Sequence, residues 1–104
     1  MRFLLKVNIP AEAGNAAVKA GTLGSTIQSI LADVKPEAAY FGDNNGQRTA
    51  FIVLDMQDAS HIPAIAEPWF LAFNADVEFR IAMTPEDLKK AGLGDVGKKW
   101  PKAA

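Results

Sequence analysis

The sequence has no cysteine, which excludes disulfides, thiolate nucleophiles and zinc sites of the cysteine-rich type. Its single histidine, His61, rules out a metal site built from several imidazoles, and no metal is expected. One histidine also leaves no Ser-His-Asp arrangement to assemble. Excess charge of either sign is missing too. A formal net charge of -1 gives no basis for the broad phosphate-neutralising surface that nucleic acid requires, so nucleic acid is not an expected partner. No apolar run approaches the roughly 20 residues that span a bilayer, and membrane association is not expected either. The opening Met1-Arg2-Phe3-Leu4-Leu5 run meets Lys6 and Asn8 too early for a signal-peptide core, so the expected compartment is the cytoplasm. Phosphate-cradling glycine signatures are absent: Gly21-Thr22-Leu23-Gly24 lacks the Lys-Ser/Thr that follows in such loops, and no cofactor is expected. The seven aspartates and five glutamates are scattered at the ends of expected elements, with no two placed as a carboxylate pair.

What is present centres on Glu37 to Asp55, two alternating segments joined at Asn45-Gly46. A two-residue type I′ turn needs positive φ at both central positions, and Asn and Gly tolerate it best. That turn predicts the register: Asp43 opposite Arg48, Phe41 opposite Ala50, Tyr40 opposite Phe51 and Ala39 opposite Ile52. One face then carries Phe41, Ala50, Ile52 and Leu54, the other Tyr40, Thr49, Phe51, Val53 and Asp55. A hairpin apolar on both sides needs helices on one face and a second cover on the other.

Period-2 alternation also marks Arg2 to Ile9 and Ala75 to Met83 as strands. After Pro10 a polar, glycine-containing link leads to a helix with Leu23, Ile27, Ile30, Leu31 and Val34 on one stripe. Asn15 is the expected cap, and Gly21 and Gly24 predict weak first turns or close approach to the sheet. Pro36 stops this helix and biases Lys35 toward an extended conformation. A second helix, capped by Asp58 or Ser60, carries Ile62, Ile65, Ala66, Trp69 and Phe73, with a kink or restart expected at Pro68. His61, in its first turn, reads as a surface residue rather than a catalytic base. Thr84-Pro85-Glu86-Asp87 opens a short extra helix. The expected division is a domain over 1–91 and a loose tail over 92–104, with Trp100-Pro101 as its anchor.

Strand, helix, hairpin, helix, strand is the βαββαβ order of an α+β ferredoxin-like sandwich, with an antiparallel sheet in the order 4-1-3-2 and both helices on one side. Phe3, Leu5, Val7, Ile9, Phe41, Ile52, Leu54, Val77, Phe79 and Ile81 are placed under the helices. The open face keeps Leu4, Lys6, Asn8, Tyr40, Thr49, Phe51, Val53, Asp55, Glu78 and Arg80. There Lys6, Asn8, Glu78 and Arg80 flank an apolar floor of Leu4, Phe51 and Val53. Such charges serve either a ligand pocket or a cross-strand ion-pair set in a protein interface. Tyr40 is either a donor to a ligand or packing area with a wet hydroxyl. The floor itself is an apolar patch that no helix of the same chain covers, which predicts a homodimer. Lys6 and Arg80 need negative charge: Glu78 answers one of them and Asp55 lies too far, which leaves room for a small anionic molecule beside Tyr40.

The same βαββαβ order invites comparison with the RNA-recognition motif, but Gln47 to Leu54 supplies only Ala50 and Phe51 with a conservative Ile52, and the first strand offers no aromatic on the open face. A closer resemblance is to the dimeric α+β barrel superfamily. It is carried by the whole strand-helix pattern and by Lys35-Pro36-Glu37-Ala38-Ala39-Tyr40-Phe41, Asn45-Gly46-Gln47-Arg48, Ile62-Pro63-Ala64-Ile65-Ala66-Glu67-Pro68 and Val77-Glu78-Phe79-Arg80 through Met83-Thr84-Pro85-Glu86-Asp87-Leu88. Over nearly the full chain the sequence resembles a small bacterial family of unknown function within that superfamily. The resemblance implies open sheet faces packed together in pairs. Relatives there include cofactor-independent monooxygenases, haem-degrading enzymes and muconolactone isomerases, whose histidine-dependent chemistries have only His61 to land on, so no catalytic role transfers. Three readings follow: a ligand-binding or enzymatic barrel with a cavity over Lys6, Tyr40 and Arg80; a structural or regulatory dimerisation module whose face the partner fills; and an RNA binder with an exposed aromatic platform.

Overall fold

The computed structural model describes residues 1–100. Its strands are β1 (Arg2–Ile9), β2 (Ala38–Asn44), β3 (Gln47–Asp55) and β4 (Asp76–Ala82). Its helices are α1 (Ala11–Ala20), α2 (Leu23–Val34), α3 (Ile62–Phe73), α4 (Pro85–Lys90) and α5 (Leu93–Lys99), with a 3₁₀ turn at Ala59–His61. The four strands form one antiparallel sheet in the order β2-β3-β1-β4, the α+β ferredoxin-like arrangement. Asn45 and Gly46 have φ of 55° and 79°, as the hairpin turn requires. The register is the one their spacing predicts: Asp43 opposite Arg48, Phe41 opposite Ala50, Tyr40 opposite Phe51 and Ala39 opposite Ile52.

That register puts Phe3, Leu5, Val7 and Ile9 of β1 beside Leu54, Ile52 and Ala50 of β3, all buried. Ile30 of α2 and Ala66, Trp69 and Phe73 of α3 close over them. Phe3 and Phe79 meet edge to face with ring centroids 6.2 Å apart. Two residues on this face escape the cover: Phe41 remains 57% exposed and Ile81 70%. Both sit on edge strands, and α2 and α3 shelter the two central strands more fully than the rims.

Helical structure begins sooner than the sequence pattern indicates. The link after Pro10 is itself α1, rich in alanine, the best helix former, and Asn15 lies within it rather than capping α2. Gly21, at φ 73°, ends α1: its amide bonds to the Val18 carbonyl at 3.0 Å and Thr22's to Ala17 at 2.9 Å, a Schellman-type stop. Lys35 is left-handed (φ 53°, ψ 61°) instead of extended, because its amide bonds to the Leu31 carbonyl at 2.8 Å and closes the last turn of α2. Asp58 caps the 3₁₀ turn through Ser60, and α3 then runs without a restart through Pro68. Pro68 cannot bond to the Ala64 carbonyl, but Ala64 lies on the exposed side, where water can serve it.

Beyond β4, Thr84 and Asp87 form a reciprocal capping box that starts α4. The segment expected to be a loose tail from Gly92 is helical over Leu93–Lys99, and Trp100 is exposed rather than anchored in this chain. Pro101 lies outside the described residues.

Gly24 is helical with nothing within 4 Å of where a Cβ would stand, so it is not a point of close packing on the sheet. Gly24→Ala is therefore expected to stabilise the protein by about 0.5–1 kcal/mol, read as a higher urea midpoint. An unchanged or lower midpoint would show that the glycine has a role in α2 beyond chain freedom.

Three carboxylates titrate below their ordinary range. Asp55 is held down by its bond to the Met1 amino group at 2.8 Å, Asp58 by the Ser60 amide and Asp87 by the Thr84 amide. The folded chain thus binds fewer protons than the unfolded chain as pH falls below about 4, and stability must drop there. Urea midpoints should fall steadily between pH 4 and 2.5; a flat profile would contradict these partnerships.

Candidate functional site

The face of the sheet away from α1–α3 is uncovered. Strand pairing sets Leu4 between Val53 and Arg80, Lys6 between Phe51 and Glu78, and Asn8 between Thr49 and Asp76. Tyr40 joins from β2, opposite Phe51. Leu4, Tyr40 and Phe51 are exposed, while Val53 is half-buried between them.

Lys6, Tyr40 and Arg80 are brought together around a hollow of about 210 Å³ whose apolar floor includes Leu4, Phe51 and Val53. The hollow opens to solvent on one side, so it can receive water or part of a small molecule. Glu78 stands at its rim and answers both cations instead of one. Its Oε2 lies 3.1 Å from the Arg80 guanidinium and 3.7 Å from Lys6 Nζ. One shared carboxylate between two cations leaves the cluster one positive charge in excess. Both pairs are partly solvated, and each contributes at most about 1 kcal/mol.

Asn8 is committed elsewhere. The Thr49 hydroxyl donates to its Oδ1 at 2.7 Å, which satisfies a Thr49 that is only 2% exposed. Asn8 does not line the hollow. Asp55 is likewise removed from the cluster by its ion pair with the Met1 amino group, and Arg2 of the same face binds Glu37 through two hydrogen bonds, 3.0 and 2.6 Å. The Arg2–Glu37 clamp was not marked by the sequence pattern, because Glu37 precedes β2 and its reach depends on the twist of the sheet.

On the other side of the sheet an apolar groove of about 270 Å³ runs beside β2, between Leu23 and Ile27 of α2 and Phe41. His61 is exposed at the end of the 3₁₀ turn and does not line the Lys6–Arg80 hollow.

The arrangement can hold an anion by charge and by the Tyr40 hydroxyl while an apolar body rests on Leu4, Phe51 and Val53. Among the described residues no helix is long and apolar enough to cross a membrane.

Four antiparallel strands in this order with helices on one face define the α+β ferredoxin-like class. No family model matches the sequence, and no curated protein does. Among solved structures, a 5-chloro-2-hydroxyhydroquinone dehydrochlorinase from Burkholderia phenoliruptrix, in complex with 2,5-dihydroxybenzoquinone, is similar with a TM-score of 0.49 at 14% identity, over 84% of this chain and 99% of that one. The fold class is defined by this chain's own strand order and register.

Proposed function

We propose that the protein works as a homodimer, its open sheet faces apposed, and binds a small anionic molecule at Lys6, Tyr40 and Arg80. The supporting observation is the hollow itself: two cations sharing one carboxylate over an apolar floor, on a face no helix of the chain covers. Apposing a second sheet lowers the local dielectric, which strengthens the pull of the surplus positive charge on an anion. Convergent polar groups in an apolar cleft are the usual form of such a site. Glu78 belongs to this reading as the group that orients both cations rather than as a ligand contact.

The test is native mass spectrometry of the purified protein, followed by thermal shift with benzoate, citrate and inorganic phosphate. At least one anion is expected to raise Tm in the parent. Arg80→Ala should weaken that anion by tenfold or more, since a hydrogen bond to a charged group contributes about 1.5–3 kcal/mol. An Arg80→Ala profile identical to the parent's would favour the dimerisation module without a ligand.

A further inference from the structure

The apolar groove on the helix side of the sheet has a direction and a charged end. Ile9 and Ala50 form its floor, and Leu23, Ile27 and Phe41 its walls. From there it continues along α2, past Gly24 and Gln28, to Leu31. Leu23 to Leu31 is eight residues of helix, so the run is about 12 Å long. Phe41, 57% exposed, is the side chain that water meets most openly on the way.

Arg48 stands at the Leu23 end. It lies opposite Ile9 and Asp43 in the sheet and lines the groove together with the first residue of α2. Its side chain is laid over α1, where a Cβ added at Gly14 would stand 2.5 Å from Arg48 Nη1 and 3.4 Å from its Cδ. Gly14 is buried inside an otherwise alanine-rich helix, a place where glycine is a poor helix former. The missing side chain is what leaves the guanidinium its seat.

No carboxylate answers that charge. The ion pairs among the described residues do not include Arg48, and the groove lining holds neither Asp nor Glu. Asp43, opposite Arg48 on β2, accepts from the Gly46 amide at 3.3 Å instead. α2 opens at the same end with no acidic residue in its first turn and no side-chain cap, so its first amides add positive potential to that of Arg48.

These features select a small molecule with an anionic head and a slender apolar body. The chain's own C-terminal segment has the wrong sign, since residues 85–104 carry five Lys against three Asp and Glu. A peptide would bring backbone amides and carbonyls that each need a partner. Arg48 and Gln28 are the side chains of the lining left to supply them, because the Thr49 hydroxyl already donates to Asn8. A hydrocarbon chain makes no such demand and covers Phe41.

We propose that this groove binds a medium-chain carboxylate, its head on the Arg48 guanidinium and its chain laid along α2 over Ile27, Phe41 and Leu31. The site lies on the opposite side of the sheet from the Lys6–Tyr40–Arg80 hollow, so it stands or falls apart from the anion and the dimer proposed there.

The test is a titration of decanoate, kept below its micelle-forming concentration, into the isotope-labelled full-length protein, followed by nuclear magnetic resonance. The amide signals of Ile27, Phe41 and Gly42 are expected to shift and saturate. Arg48→Gln should weaken that binding about tenfold, as loss of a hydrogen bond to a charged group does. Decanol, with the same chain and no charge, should also bind far more weakly than decanoate. Gly14→Ala, which keeps the charge but takes its seat, should weaken decanoate too, whereas Arg80→Ala should leave these three signals responding as in the parent. The proposal is overturned by equal affinity for decanol, by an Arg48→Gln chain that binds as the parent does, or by shifts confined to Tyr40 and Phe51 on the open face. The absence of a saturable shift overturns it as well, even if an acidic peptide produces one. Close proton contacts between Val96 and Phe41 in the free protein, within one chain or across two, would also overturn it by seating the C-terminal segment in the groove.

Discussion

Trp69→Ala is expected to destabilise the protein by about 3–5 kcal/mol, enough to leave a small domain of ordinary stability partly unfolded at room temperature. Trp69 is fully buried in the middle of α3, tilted against Phe73 with ring centroids 6.3 Å apart, and it fills the space between the helix layer and β1 and β3. The cavity left by the indole adds its cost to the lost burial. Its Nε1–H has no hydrogen-bond partner among the described residues, and leaving a buried donor unpaired costs about 1–3 kcal/mol. Trp69→Phe removes that donor while keeping most of the ring. It should therefore cost no more than about 1.5 kcal/mol in urea unfolding. A phenylalanine variant as damaged as the alanine one would show that the indole N–H is satisfied and stabilising.

Phe51→Asp should convert the protein to a folded monomer. In the single chain Phe51 is exposed on the open face, where Asp is tolerated with little change. Under an apposed sheet the ring's apolar contact would be lost and a carboxylate desolvated at each of two symmetric positions, and Lys6 opposite it, already shared with Glu78, offsets only part of that cost. Circular dichroism of the variant should match the parent, while its sedimentation mass halves. Loss of fold instead of loss of dimer would mean that Phe51 holds the β2–β3 hairpin within one chain. Phe51 stands opposite Tyr40 across that hairpin, and its ring also reaches toward Gly42, where an added Cβ would stand 3.8 Å from Phe51 Cε2.

The sheet could be read from the sequence because its determinants are local. Asn45-Gly46 demands positive φ, a two-residue turn admits one register, and period-2 alternation then assigns every side chain to a face. The Lys6–Tyr40–Arg80 cluster followed from that register and the strand order. What escaped depends on tertiary placement or on weaker signals. α1 has no large apolar stripe, only the helix propensity of its alanines, so it read as a link. Pro68 is tolerated in a helix at whose i−4 position Ala64 is exposed to water, and Lys35 is left-handed because a closing hydrogen bond outweighs the bias from Pro36. Ile81 and Phe41 have the right parity but lie at edges that the helices cover incompletely, and parity says nothing of helix reach. α5, with three glycines in and beside it, offered little local propensity and read as a tail.

Light scattering of the intact protein at micromolar concentration tests the sheet-face dimer most directly. The account predicts a mass of twice the chain's 11.1 kDa, lowered to one chain by Phe51→Asp. A single-chain mass for the parent protein, with Leu4, Tyr40 and Phe51 open to water, would contradict it.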